Sequence, residues 1–273
     1  MIYYNNYLAV MKKYHFLNPK GVTAHNLLIN GDFQVNQRGQ SSYTCDGTKR
    51  VYGVDMWSFS KSNTFMKVTE NGIETNAPIS QTFDKLKSGV KYTAVCNIDN
   101  VIHTKSIVGG TYDTGTSQTI MYLTFNDVER IVITPNGTQT INYIDLFEGE
   151  IVYKHQKEDC SIALLRCQRW LYVLRGNGQQ LPCDINSTGE GIFTIHLPTE
   201  MINKPTFVSN NEIIKFVSDG NNSKSYNSNM GVLQKFGKNM IRMSYPYLAY
   251  GIPNVIGMVY LENATFTFSC EPL

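Results

Sequence analysis

The chain reads as an all-β protein: two β-sandwich domains joined by one α-helix, with an extended arm ahead of the first domain. Three observations predict this. Short runs of alternating apolar and polar residues recur along most of the 273 residues, separated by Gly, Asn and Pro turns. Only one stretch, Lys157 to Gly176, carries a helical apolar stripe. Hydrophobic residues make up 42% of the chain, enough for a real core, whereas charged residues make up 17%, a share that suits an extracellular or particle-borne β protein better than a cytoplasmic housekeeping one.

The arm spans residues 1–23 and holds Tyr3, Tyr4, Tyr7, Tyr14 and Phe16. It is too aromatic for a disordered tail, so it is expected to pack on a partner or neighbouring subunit, with packing on its own domain as the other option. It lacks the basic start, apolar centre and small-residue cleavage site of a signal peptide. Pro19 and Gly21 close it.

The first domain, residues 24–152, opens on the stretch that organises the rest, Asn26 to Trp57. Leu27 to Ile29 read as a buried strand, Asn30-Gly31 as a turn, and Phe33 and Val35 as the inward residues of a half-buried strand. Asp55 and Trp57 are two apart and on a strand would share one face. They are expected to be fold anchors, Trp57 filling the core and Asp55 tying down a loop, with ligand contact as the alternative. Further strands are expected within Phe59–Val68, Pro78–Phe83, Lys91–Ile98, Ile102–Val108, Thr119–Phe125, Glu129–Thr134 and Thr140–Phe147. In the third of these, Tyr92, Ala94 and Cys96 alternate against Thr93, Val95 and Asn97. Seven or eight short strands with polar turns make a jelly-roll type of sandwich.

The linking region, residues 153–176, is expected to be helical. Cys160, Ala163, Leu164, Cys167, Trp170, Leu171 and Leu174 form its stripe. Glu158 and Asp159 stand at its start, Arg166, Arg169 and Arg175 toward its end, and Gly176 and Gly178 supply a stop. The second domain, residues 177–273, begins with the strand Gly191–Leu197, in which Phe193, Ile195 and Leu197 face inward. Short strands follow at Phe207–Asn210, Ile213–Val217, Gly231–Phe236, Asn239–Ser244, Val255–Leu261 and Ala264–Phe268, with Ser218–Met230 as a polar loop or hairpin tip.

Net charge is +2, from 24 basic and 22 acidic residues, and no basic block stands out, so nucleic acid is not an expected partner. No window approaches the roughly 18 apolar residues of a membrane span. The six cysteines form no CxxC pair and are expected to be free and mostly buried. The five histidines never fall at metal-binding spacing, and no GxSxG elbow marks a nucleophile. No cofactor is expected. Asp32, Asp145 and Glu148 are the candidate carboxylates for a calcium ion, against the plainer reading of turn caps and solvated charges. Tyrosine, with 17 copies, suits sugar stacking and protein interfaces alike.

NLLINGDFQVNQRG followed by YGVDMW resembles the opening of a family of phage and prophage tail or fibre proteins. PISQTFDKLKSGVKYTAVC is similar to a stretch of carbohydrate-binding jelly rolls, and EDCSIALLRCQRW and GIFTIHLPTEMINKPTF resemble the family's helix and the strand after it. The likeness covers roughly residues 24–273. Met56 stands where a basic residue is common, Phe147 interrupts a strand-end motif, and Trp170 replaces a usual Tyr. The resemblance implies a structural virion component, a tail or head fibre or attachment subunit, assembled in the host cytoplasm and carried on the particle. It implies a homotrimer, other virion proteins as partners through the arm, and host-surface carbohydrate as a ligand. Asp55, Trp57 and Tyr92 are the candidate glycan-binding or anchor residues. No catalytic residue is expected; the competing reading is a virion-associated depolymerase, which needs two opposed carboxylates in a groove.

Overall fold

The computed structural model describes residues 26–271 apart from 84, 112, 114–117, 126–127, 151–153, 211–212, 219–221, 228–231, 238 and 246–255. The aromatic arm, with Tyr3, Tyr4, Tyr7, Tyr14 and Phe16, lies outside the described residues. The described chain is mostly antiparallel β-structure with one short helix, and it divides into two compact units, 1–163 and 164–273.

The first unit contains strands β1 (Ser42–Cys45), β2 (Val51–Tyr52), β3 (Ser58–Phe59), β4 (Thr64–Thr69), β5 (Gly72–Thr75), β6 (Ile79–Phe83), β7 (Lys91–Ile98), β8 (Val101–Val108), β9 (Ile120–Phe125), β10 (Val128–Ile133) and β11 (Gln139–Glu148). They form a six-stranded sheet, β1-β4-β5-β11-β7-β8, and a five-stranded sheet, β2-β3-β6-β10-β9. The inward faces of both sheets meet in one apolar cluster: Ile73, Ile144 and Leu146 from the first, Ile79, Ile131 and Ile133 from the second. Period-two alternation creates this face, as in β7, where Tyr92, Ala94 and Cys96 point into the core. β1 lies in a span that reads as polar hairpin material and β5 in one where no strand is expected, because strands of four residues carry too little alternation to register.

Residues 26–36 form no strand, contrary to expectation, but an irregular segment whose residues are all buried or half-buried. Its backbone is satisfied one group at a time. Leu27 N donates to Leu146 O at 2.9 Å, and Ile144 N donates to Gly31 O at 2.9 Å. The Gln81 amide serves Ile29 at both ends, accepting from its N–H at 2.8 Å and donating to its carbonyl at 2.7 Å. The turn at Asn30-Gly31 does form, with Asn30 at φ 55°. Asp55 and Met56 likewise occupy a turn rather than a strand, so Asp55 and Trp57 are not neighbours on one strand face.

The helix α1 (Cys160–Gln168) is shorter than the sequence pattern suggests. Asp159 caps it, accepting from Ser161 N at 2.9 Å and Ile162 N at 3.3 Å. Ala163 and Cys167 are its fully buried residues, while Cys160 is exposed. The chain then enters a 15-residue strand, β12 (Leu171–Ile185), so Leu171 and Leu174 belong to a sheet. A long partner, β19 (Ile256–Ser269), decides this: its closing residues pair with Leu171 to Arg175 and outweigh a local helical pattern. Gly176 is no helix stop. It sits at a bulge in that pairing, where a Cβ would crowd the Leu261 side chain and carbonyl.

The second unit adds β13 (Gly191–His196), β14 (Thr206–Asn210), β15 (Ile213–Ser218), β16 (Asn222–Asn227), β17 (Val232–Gly237) and β18 (Met240–Tyr245). These join β12 and β19 in one eight-stranded sheet, β16-β15-β19-β12-β13-β18-β17, with β14 also on β19. Among the described residues this unit forms one hydrogen-bonded sheet rather than the two expected of a sandwich, because β19 pairs along its length with β12, β14 and β15. The expected polar loop Ser218–Met230 contributes β16 as the return strand of a hairpin. Phe193, Ile195, Phe266 and Phe268 face its core as the alternation predicts. All six cysteines are free; Cys45, Cys96, Cys167 and Cys183 are buried.

Candidate functional site

A histidine held between two carboxylates lies in the first unit. Three segments distant in sequence supply it. The irregular opening segment brings Asp32, β11 brings Asp145, and the stretch leading to α1 brings His155. His155 Nε2 lies 2.8 Å from Asp32 Oδ1, and Nδ1 lies 2.9 Å from Asp145 Oδ2. Its ring stacks on Tyr143, with centroids 3.7 Å apart and planes 8° from parallel. Tyr143 and Asp145 are two apart on β11 and share a face, which sets ring and carboxylate side by side.

The remaining carboxylate oxygens are also engaged. Asp32 Oδ2 accepts from Glu158 N at 2.9 Å, and Asp145 Oδ1 accepts from Asn26 Nδ2 at 2.9 Å. Asn26 adds a bond to Ile144 O at 3.1 Å and accepts from Leu146 N at 2.9 Å. Gln34 Nε2 reaches Glu158 O at 2.7 Å. The cluster therefore clasps the opening segment, β11 and the approach to α1.

Electrostatics follow from this geometry. Burial works to lower the His155 pKa, but the hydrogen bonds and charges of Asp145 and Asp32 outweigh it and lift the imidazole to about 9. Burial pushes the Asp145 carboxyl up, against the pull of His155. An imidazole facing carboxylates at both nitrogens is a double donor, hence an imidazolium at neutral pH. It has no lone pair for a substrate proton or a metal ion. The arrangement is a charged clasp.

Two of the three expected calcium carboxylates, Asp32 and Asp145, do come together, and the cation between them is His155. Glu148 is not with them: it is exposed at the end of β11, three residues on, and pairs with Lys87 at 3.4 Å. No group of three or more His, Cys, Asp or Glu among the described residues is arranged to hold a metal ion. The candidate glycan-contact residues are in the core. Trp57 is 0% exposed, packs against Phe33 at 5.4 Å between ring centroids, and donates Nε1–H to Asn30 O at 2.9 Å. Asp55 is also 0% exposed and accepts from Gln37 N at 2.9 Å and Gln37 Nε2 at 2.6 Å. Tyr92 is 2% exposed, and its hydroxyl accepts from Lys87 N at 3.1 Å. All three are anchors: Trp57 and Asp55 tie neighbouring loops to one another, and Tyr92 ties Lys87 to β7.

Asn26, Asn30, Gln81 and His155 are the polar residues that sequence reasoning missed. Asn30 has a signal as a turn residue, but its second task does not: its buried amide holds Val35 by both backbone groups and donates to Asp55 O at 3.0 Å. His155 has no local signal, because both of its partners come from other segments. The chain matches no family model, no curated protein and no solved structure.

Proposed function

We propose that this chain is a structural, multi-copy component of a bacteriophage particle: a tail or head fibre or attachment subunit. In this reading it carries a jelly-roll-like β module followed by a second β module, assembles as a homotrimer, docks to other virion proteins through its aromatic arm, and recognises glycans on the host surface. The observation that carries the reading is the role of its most specific motif. The residues of Asn26–Trp57 that resemble the fibre family, Asn30, Asp55 and Trp57 among them, are buried and lock its loops to one another. Such a motif maintains a scaffold, which is what a particle subunit has to supply many times over. The His155 clasp supports it in the same way, by tying segments together with every carboxylate oxygen engaged.

The test is to purify intact particles and count this chain per particle by quantitative mass spectrometry, with its position fixed by electron cryo-microscopy. The expected result is a copy number that is a multiple of three, at a tail, baseplate or head-fibre position. Absence from the particle, or a lone monomer that releases sugar from host polysaccharide, would overturn the proposal and leave the depolymerase reading in its place.

A further inference from the structure

The outer face of the five-stranded sheet carries two guanidinium groups, of Arg50 and Arg130, that no carboxylate among the described residues neutralises. Register places Tyr52 opposite Ser58, Ser58 opposite Ser80, and Arg130 opposite Thr82. Residues paired in this way share a face. Arg50 precedes Tyr52 by two positions, the spacing that returns to the same side. Small hydroxyl side chains thus make a floor, and long side chains from the flanking strands rise beside it. The floor is recessed: Ser58 is 3% exposed and Ser80 9%, with their hydroxyls 3.2 Å apart. Glu129 and Ile131, the neighbours of Arg130 along β10, belong to the buried face.

Arg50 Nη1 is buried and has no hydrogen-bond partner among the described residues. Arg130 makes one long contact, from Nε to Thr82 Oγ1 at 3.4 Å. Neither guanidinium forms an ion pair among the described residues. Arg38, by contrast, has Asp55 at 3.9 Å and lies 5.6 Å from the Tyr52 ring centroid. Burial, then the charge of Arg50, holds the Arg130 guanidinium below its ordinary value. Two like charges half-withdrawn from water without a counter-ion oppose folding, and a bound anion relieves the opposition.

We propose that this face, around Arg50, Tyr52, Thr82 and Arg130, is an oxyanion site for an acidic sugar unit, one bearing a carboxylate or a phosphate. The inference rests on the glycan-recognition part of the function proposed above and names its ligand class. Guanidinium forks match a carboxylate or phosphate in shape as well as charge, and the Thr82 hydroxyl lies beside them for a ring hydroxyl of the sugar. Nucleic acid fits less well. Its binding proteins neutralise roughly 6–10 phosphates, whereas this face offers two unpaired guanidiniums on a chain of net charge +2.

The experiment is affinity electrophoresis of the full chain through gels containing polygalacturonate, poly(glycerol phosphate), dextran or a single-stranded oligonucleotide. Retardation by at least one of the two anionic polymers and none by dextran is expected, and which polymer retards separates a carboxylate source from a phosphate one. Arg50→Gln and Arg130→Gln should each weaken that binding by about tenfold, while the unbound R50Q protein melts at the same or a higher temperature. Arg50→Lys, which keeps the charge but not the fork, should fall between. Should R130Q not fold, R50Q and R50K decide alone. No retardation by either anionic polymer, unchanged binding in R50Q, tighter binding of the oligonucleotide, or a lowered melting temperature in R50Q would each overturn the proposal. Particle copy number is a separate readout, so the site and the virion role fail independently.

Discussion

At the scale of single residues, His155 shows how a charge is kept inside this protein. Its pKa is raised from 6.5 to about 9, so its contribution to folding is fully present below about 6.5 and is lost as pH rises through about 9. A shift of that size corresponds to about 3 kcal/mol. Urea unfolding of the wild type should therefore give a lower stability at about pH 10 than at about pH 6, and in His155→Gln that difference should shrink. A flat wild-type profile across this window would mean that the clasp does not form. At neutral pH the same substitution leaves Asp32 and Asp145 facing each other without a cation and should cost about 3–5 kcal/mol. Asn30 and Trp57 make the complementary point. A residue legible as a turn former also donates its amide to Asp55 O, and a residue legible as core also needs the Asn30 carbonyl for its indole N–H.

At the scale of elements, the opening segment is held by contacts that leave no room. A Cβ on Gly31 would run into the Ile144 carbonyl and lie 2.7 Å from Asn26 Nδ2, the group that reaches Asp145. Gly31→Ala should destabilise the first unit by about 2–4 kcal/mol, read as a lowered thermal midpoint, since the neighbour is backbone and moves little. A midpoint unchanged from wild type would contradict the threading of this segment beside β11. Phe33, at φ 55°, shows that packing against Trp57 holds an aromatic residue in a conformation it rarely adopts. In α1, Asp159→Ala removes the cap of a nine-residue helix and should cost about 1 kcal/mol in chemical denaturation.

At the scale of the whole molecule, most buried apolar side chains among the described residues fall into two clusters, one in each unit. Calorimetry should therefore resolve two unfolding transitions. His155→Gln should lower one of them and leave the other in place; a common downward shift, or a single transition, would show that the units unfold together. Much of this architecture was legible in the chain. Nearly every strand of the first unit that is five residues or longer follows its alternation, and Phe193, Ile195, Phe266 and Phe268 face the core where period two puts them. Leu171 to Leu174 were not legible, because an apolar run continuing a helical stripe looks the same whether the helix goes on or a strand begins.

The amino-acid order by itself determined the β class, the inward faces, the turn at Asn30-Gly31, the presence of a helix after Lys157 and the burial of Trp57. Each of these rests on local spacing and on the conformations that single residues tolerate. Only the tertiary structure decided that residues 26–36 would be an irregular buried segment, that the helix would yield to β12, and that Asp32, Asp145 and His155 would meet. Those outcomes depend on partners more than a hundred residues away in some cases, as between Asn26 and Asp145. A buried amide or carboxylate bonds whichever group the fold brings within reach, and its own neighbours in the chain carry no trace of which group that will be.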